Sequence, residues 1–416
     1  MKRKRKEQRP RIYTSKKMKS KTQTELLEEM ILEILIRLPV KSILRFKSVS
    51  KAWCAMISDP LFIRTHLLHS ASKSNQNPSL LISPHALDSV IKGEKWPTTF
   101  STQIRFYQWQ SASPSVAKFL LAKDFQGEFS SVCQFVHCDG LVLLPTNTKV
   151  YLFNPATRDT LTLPENNPNK IPVPPDVCLP AGLGLDPSTG RYKVVRAFYR
   201  SIDPLTDVFH MGMQVYTIGD TAASWRDTPT DPPYPVVEWT TPKSVKGQIF
   251  WVIDIYNMKL RPPHCLLRLN LEDETFGTTC LPDSLDPALD EAFMLDVMHG
   301  DICLTASSSA KPGPQPQLIW ALVHEDGMSS RWEQRYSICT SQVGRPMALL
   351  TTDILMWYSR RHLYRHCLHT SELTNLVKMD DLRYQRRRAG TFESAGQNIF
   401  FFNVMSYMES LVRLTA

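Results

Sequence analysis

The sequence predicts an α+β chain of two unlike parts: a small three-helix module near the N-terminus, then a long all-β domain of propeller-like design. Three observations carry that reading. Between Leu26 and Ile57, 20 of 32 residues are apolar, at spacings that suit helices. From about residue 80 onward the pattern changes to short apolar runs broken by Pro, Gly, Asn and Asp, as in a succession of short strands. Thirty prolines against sixteen glycines argue against long helices and for many loops between short strands.

The 416 residues divide by composition into four stretches. Residues 1–21 hold eleven Lys/Arg against one Glu and are expected to be a basic, disordered tail. The whole chain carries +9, so the rest sits at −1, and a nearly neutral body argues against nucleic acid as a partner. Within the tail, Lys2, Arg3, Lys4, Arg5 and Lys6, followed by Lys16 and Lys17, have the spacing of a bipartite nuclear-import signal; a solvated tail with weak phosphate affinity is the plainer reading. That leaves nuclear and cytoplasmic locations both open. No run of 18 apolar residues exists, so no membrane span is expected, and no apolar segment backs the basic N-terminus as a secretory signal requires. Nine cysteines, an odd count without a C-x-x-C pair, suit a reduced, intracellular chain better than a disulfide framework.

Residues 22–68 read as helical. Thr22 with Glu25 matches a capping box, and a first helix should run to about Leu38, stopped by Pro39. Its polar residues Glu25, Glu29, Glu33 and Arg37 form one narrow stripe, leaving most of the surface apolar, so this helix must be covered on more than one side. Shorter helices are expected near 41–48 and 51–57, with Ser50 as N-cap of the latter, and Asp59-Pro60 should open one more short helix. About 40 residues cannot normally bury this much apolar surface by themselves, so a protein partner is expected here. Residues 69–79 (HSASKSNQNPS) read as a polar linker.

Residues 80–416 show a weak internal repeat. Strands end in Asn154-Pro155-Ala156-Thr157, Asp186-Pro187-Ser188-Thr189, Asn270-Leu271-Glu272-Asp273 or Thr370-Ser371-Glu372-Leu373, and another strand follows. Leu163-Pro164 and Leu281-Pro282 close two of the units. Asn or Asp before Pro is turn chemistry, because the side chain caps its own turn while Pro presets φ. Repeated hairpins over some 300 residues suggest a propeller with about 40–50 residues per blade, of undetermined blade number.

The segment LLEEMILEILIRLPVKSILRFKSVSKAWCAMISDPLFIRTHL (26–67) resembles an F-box, specifically that of plant F-box proteins with a C-terminal F-box-associated domain. The match includes Ile34-Leu35, Leu38-Pro39-Val40-Lys41-Ser42, Leu44 to Val49, Lys51-x-Trp53, and Ile57-Ser58-Asp59-Pro60-x-Phe62-Ile63. The usual opening Leu-Pro reads Leu26-Leu27, and the usual Cys after the Val reads Ser50. Further on, His137-Cys138-Asp139-Gly140-Leu141-Val142, Leu152 to Arg158, Gly182 to Val195, Val215-Tyr216 with Ser224-Trp225-Arg226, and Gly247 to Trp251 are similar to the associated domain. Tyr407-Met408-Glu409-Ser410-Leu411-Val412 looks like its closing strand, whereas 80–130 match less clearly. The resemblance implies that Leu35, Leu38, Pro39, Ile43, Leu44, Val49 and Trp53 dock on a Skp-family adaptor and through it a cullin–RING ubiquitin ligase. Some of these must instead hold the helices together. The β domain would then receive an unknown protein substrate, with the Pro-rich loops 164–180, 227–242 and 307–317 as candidate contacts, although any one of them could be a mere crossover.

No cofactor or metal is expected. His362, His366, Cys367 and His369 are suitable types for zinc, but they sit where a strand is expected and would not share one face. Cys133 and Cys138 lack partners at finger spacing, and Arg386-Arg387-Arg388 reads as an exposed loop. G-x-S-x-G, P-loop, G-x-G-x-x-G and H-E-x-x-H motifs are missing, and Gly182-x-Gly184 reads as a strand-to-turn junction. A non-catalytic ligase subunit is therefore the leading expectation. A propeller enzyme or carbohydrate-binding domain with a helical docking appendage is one alternative, and an F-box protein acting outside ubiquitination another.

Overall fold

The computed structural model describes residues 28–89, 100–125, 135–146, 148–173, 177, 179–205, 208–220, 224–238, 240–254, 263–285, 292–307, 315–324, 330–340, 344–386 and 390–414. The basic clusters of the tail, the Thr22/Glu25 capping box, Cys133, Arg387 and Arg388 lie outside these residues.

Four helices come first: α1 (Glu28–Ile36), α2 (Val40–Phe46), α3 (Lys51–Ser58) and α4 (Pro60–Gln76). Pro39, in an extended conformation, separates α1 from α2. Ser50 caps α3 by accepting the Trp53 N–H (3.1 Å), and Asp59 caps α4 by accepting the Leu61 N–H (2.7 Å), with Pro60 in the first turn. The expected linker 69–79 is different. It is helical as far as Gln76, so α4 has 17 residues and only Asn77-Pro78 separates it from the first strand. Ile63 and Leu67 of α4 pack against the propeller, and such contacts outweigh the modest helix propensity of the Ser, His and Asn residues that follow.

The strands β1 (Ser79–Ala86), β2 (Gln103–Gln110) and β3 (Val116–Asp124) precede five four-stranded antiparallel sheets in chain order. Blade 1 is β4–β7 (Val136–Cys138, Leu141–Pro145, Val150–Asn154, Asp159–Thr162). Blade 2 is β8–β11 (Ala181–Leu185, Tyr192–Ile202, Phe209–Thr217, Arg226–Asp227), and blade 3 is β12–β15 (Lys243–Val245, Gln248–Val252, Cys265–Asn270, Phe276–Cys280). Blade 4 is β16–β19 (Ala292–Met298, Asp301–Ser307, Gln315–His324, Ser330–Thr340), and blade 5 is β20–β23 (Arg345–Thr351, Ile354–Ser359, His362–Cys367, Leu373–Lys378). The chain then adds β24 (Arg383–Gln385), β25 (Phe392–Glu393) and β26 (Ile399–Ser406), which join the first three strands as blade 6 in the order β25-β24-β3-β2-β1-β26.

Among the described residues this is a six-bladed propeller. From blade 1 round to blade 6 the first strand of each blade touches that of the next around a central channel, and β26 takes the inner position in blade 6. The Phe135 N–H just before β4 donates to Asn403 Oδ1 of β26 (3.5 Å). There is no single core. Each seam between neighbouring blades has its own apolar wedge, for example Val195, Met213, Ile249, Trp251 and Leu269 between blades 2 and 3, and Phe106, Phe125, Phe135, Tyr151 and Phe153 between blades 6 and 1. Gly184 belongs to this packing rather than to a turn junction. It lies within β8, and a Cβ there would come within 2.4 Å of the Ser244 hydroxyl and 2.6 Å of Leu271 in blade 3.

The two faces of the ring differ. The four repeat signals all fall in first-to-second or third-to-fourth strand turns, and each caps itself as its chemistry predicts. Asn154 accepts from the Ala156 N–H (3.0 Å), Asp186 from Ser188 (2.9 Å), Asn270 from Glu272 (3.1 Å), and Thr370 from Glu372 (3.4 Å). The helices stand on this face, where α4 ends beside the β2–β3 turn through a Ser111–Asn77 hydrogen bond (2.8 Å). The loops 164–180 and 227–242 join successive blades, and 307–317 joins the second and third strands of blade 4. Strand direction therefore puts all three on the opposite face. Residues 174–176, 178, 239 and 308–314 of these loops lie outside the described residues.

The Asp186 turn anchors a charged network across the seam between blades 2 and 3. Lys193 reaches Asp186 (3.0 Å), Glu274 (2.9 Å) and the Leu271 carbonyl (2.5 Å), and Arg226 also pairs with Glu274. Burial alone would raise the Asp186 carboxyl, but hydrogen bonds from Ser188, Lys193 and Thr189 outweigh it and hold the group well below the usual carboxylate range. A depressed native value means that this contribution is complete above an unfolded-state pKa of about 3.9 and fades as pH falls through the native value. Asp186→Asn should cost about 3 kcal/mol at pH 7, because it leaves Lys193 short of a buried partner. In denaturant titrations the gap between parent and variant should stay constant from pH 7 to 5 and narrow below pH 4.

Candidate functional site

The helical module has a small core of its own, formed by Leu35, Ile36, Val40, Ile43, Ile57 and Phe62, with Trp53 packed edge-on against Phe46 (centroids 5.6 Å apart). One member of that core comes from the other end of the chain: Leu411, 3% exposed, is inserted among these side chains. The segment 407–414 is what ties the module to the propeller. The Tyr407 N–H adds the last ladder bond beyond β26, to the Ser79 carbonyl (2.9 Å). Asn154 then donates from its side-chain amide to the carbonyls of Ser410 (2.9 Å) and Val412 (3.0 Å) while its oxygen caps its own turn. Gly140, at φ +81°, lets this segment pass closely, since a Cβ there would lie 2.3 Å from that of Ser410.

At its far end the segment serves the helices. The Glu409 carboxylate accepts the Val40 N–H (3.0 Å), a cap for α2 that Pro39 cannot give, and Arg413 donates to the Ser58 hydroxyl (2.7 Å). His66, buried on α4, hydrogen-bonds the Leu38 carbonyl through Nε2 (3.1 Å), and burial lowers its pKa, favouring the neutral ring.

On the opposite face the channel opens into a cavity of about 310 Å³, lined by apolar side chains such as Phe293, Leu295 and Phe402 and by Asp296, Arg345 and Arg360. Lys243 (3.3 Å) and Arg345 (3.5 Å) both converge on Oδ1 of Asp296. Burial lowers the Lys243 pKa, and deeper in the channel it brings His137 down to about 4, so that ring is neutral at pH 7.

The protein-family comparison agrees with this architecture at both ends. Residues 24–65 match the F-box domain model, and residues 90–351, well over half of the chain, match the model of the F-box associated beta propeller domain. The chain belongs to this family. An F-box protein of Arabidopsis thaliana is 28% identical over 274 residues, 65% of this chain and 63% of its own length. A second from the same plant is 27% identical over 391 residues, 88% of this chain and 82% of its own. The chain thus spans a little under two thirds of the first relative.

Within the F-box, burial sorts the seven residues singled out from the sequence. Leu35 and Ile43 are sealed inside the module, Leu38, Leu44 and Trp53 are half-buried, and Pro39 and Val49 are exposed, Val49 at 58%. Four residues the sequence reading left out of that set are also open: Met30 and Ile34, each 50% exposed and four apart on α1, and Leu61 and Leu68 on α4. For Met30 and Ile34 the signal was the breadth of the apolar face on α1, which exceeds what one neighbour can cover. The segment Tyr407–Val412 is not the closing strand. That role belongs to β26, because the carbonyls beyond Ser406 are taken by the Asn154 side chain instead of a neighbouring strand. In blade 5, β22 is a strand as expected. His366 is buried on the same face of β22 as His362 and Tyr364, the irregularity beside it lies on β23, where Leu376 is passed over, and His369 pairs with Asp353 (3.0 Å).

Asn154→Ala should therefore cost about 3 kcal/mol, since two buried carbonyls lose their donor at about 1–3 kcal/mol each. Thermal unfolding and limited proteolysis should reveal it together: a lower Tm, and faster cleavage releasing the F-box from a propeller that stays resistant.

Proposed function

We propose that the chain is the substrate-recognition subunit of a Skp–cullin–F-box ubiquitin ligase, bridging a Skp-family adaptor to a protein client. The observation that carries this reading is where apolar surface remains open. Of the eight large apolar side chains exposed among the described residues, five (Met30, Ile34, Val49, Leu61 and Leu68) belong to the F-box. Open apolar surface concentrated on one small module calls for a protein partner. In this reading Pro39 and Val49, with the half-buried Leu38, Leu44 and Trp53, meet the adaptor, while Leu35 and Ile43 hold the helices behind them.

The client would dock on the face carrying loops 164–180, 227–242 and 307–317 and the mouth of the channel. Adaptor and client then lie on opposite faces and do not compete. The chain would act by tethering, raising the effective concentration of client near a ubiquitin-charged enzyme and supplying no catalytic group of its own. The tail clusters Lys2–Lys6 and Lys16-Lys17 would direct import into the nucleus.

Each apolar anchor in such an interface is worth about 2 kcal/mol or more, so Ile34→Asp with Val49→Asp should weaken Skp-adaptor binding at least ~100-fold. Both sites are exposed, so circular dichroism and Tm should stay at parental values. Full-strength binding by a folded double variant would remove this face as the docking surface. In cells, proteins captured by the tagged parent should gain half-life when the double variant replaces it. Deleting residues 2–21 should move a fluorescent fusion out of the nucleus, and an unchanged distribution would sink the import assignment.

A further inference from the structure

Blade 3 carries a pair of cysteines that the ligase reading does not use. Cys265 opens β14 and Cys280 ends β15, and the two stand directly opposite each other in the antiparallel ladder. Both are free thiols, Cys265 half-buried and Cys280 exposed. The ladder bonds fix their relationship. The Leu281 N–H donates to the His264 carbonyl (2.9 Å) and the Asn270 N–H to that of Thr275 (3.0 Å). Bonded and unbonded pairs alternate along an antiparallel ladder, which puts the cysteines at an unbonded position.

That position is the one where facing side chains come closest, with Cα atoms about 4.5 Å and Cβ atoms about 4.5–5.5 Å apart. A disulfide needs Cα atoms about 4.4–6.8 Å and Cβ atoms about 3.5–4.5 Å apart, so only a small adjustment of the strand ends separates thiols from bond. Trp332 of blade 4 steadies the site by donating from Nε1 to the Cys280 carbonyl (2.6 Å). No other cysteine in a described strand faces another: Cys138 is opposite Leu141, Cys303 opposite Ala321, Cys339 opposite Pro316 and Cys367 opposite Ile354.

We propose that Cys265 and Cys280 are a redox-active dithiol, a modification site that takes a low-molecular-weight disulfide as oxidant and closes to a cross-strand bond. The exposed Cys280 thiolate attacks the small disulfide, forms a mixed disulfide and releases one small thiolate. The Cys265 thiolate then attacks the Cys280 sulfur, forms the protein disulfide and expels the second. One oxidant disulfide becomes two thiols while the protein loses two protons and two electrons, and a reducing dithiol reverses the sequence. Burial, with Cys280 beside it, pushes the Cys265 thiol up, so it suits the resolving step better than the first attack. The bond would fasten the outermost strand of blade 3 to its neighbour on the face opposite the helices.

The test uses the full-length chain equilibrated with oxidised glutathione, alkylated, digested without reductant and mapped by mass spectrometry. The expected product is one peptide pair joining Cys265 to Cys280, two hydrogens lighter than its parts, lost on reduction and accompanied by a higher Tm. Cys265→Ala should trap glutathione on Cys280, whereas Cys280→Ser should leave Cys265 reduced. Two freely alkylated thiols in the oxidised parent, or glutathione on Cys280 without the cross-strand bond, would overturn the proposal. These readouts involve no adaptor or client, so they stand or fall separately from the ligase reading.

Discussion

A propeller is a ring, and it exists as one cooperative body only if its two ends are joined. Here the joint is the pairing of β26 with β1, seven register pairs from Leu80–Ser406 to Ala86–Ile399 with a bulge at His85/Ala86. The same stretch of chain also grips the other side of the N-terminal strands, where β24 runs parallel along β3. The first three strands are thus held between inner and outer strands that are synthesised last. The contacts with the greatest sequence separation are the ones that complete the ring, so closure should come late in folding, after five locally connected blades.

The chain does not stop at closure. Within eight residues of β26 it supplies Leu411 to the core of the F-box, Glu409 to the N-terminus of α2 and Arg413 to Ser58. Ring closure and seating of the F-box are consequently linked: an open ring would leave Val40 uncapped and the helical core without one of its members. This linkage also bears on geometry. The proposed tethering role would need a fixed path between two docking faces, and only two residues separate α4 from β1.

Much of this was legible in the sequence wherever the signal was local. Ser50 and Asp59-Pro60 announced two helix starts, and Pro39 the break between α1 and α2. Asn154, Asp186, Asn270 and Thr370 marked turns that all lie on one face, while the Pro-rich segments marked loops on the other. What was not legible depended on distant partners. The run 69–76 is polar and looks like linker, yet it continues a helix already anchored through Ile63, His66 and Leu67. Residues 80–130 offered few local signals, yet the family model begins at residue 90, and the strands β1–β3 that they form are completed by β24 and β26 from the far end of the chain. Gly184 looked like part of a strand-to-turn junction until the close approach of Ser244 gave the reason for it.

The apolar surplus of the F-box has been divided between two kinds of cover. Leu35, Ile43, Ile57 and Phe62 are satisfied within the module, with Leu411 and Ala156 of the propeller adding cover from the same chain. Ile63 and Leu67 are taken up in the seam between blades 1 and 2. The propeller thus accounts for one side of the helices, and a single-chain explanation of their composition goes that far. It leaves Met30, Ile34, Val49, Leu61 and Leu68 half or more exposed among the described residues. Exposed side chains of this size gain free energy on leaving water, about 25 cal/mol for each Å² of apolar surface. Cover from the chain's own propeller is what makes the remainder a defined surface: it holds the helices in one arrangement, so the side chains that stay open present a fixed shape to a partner.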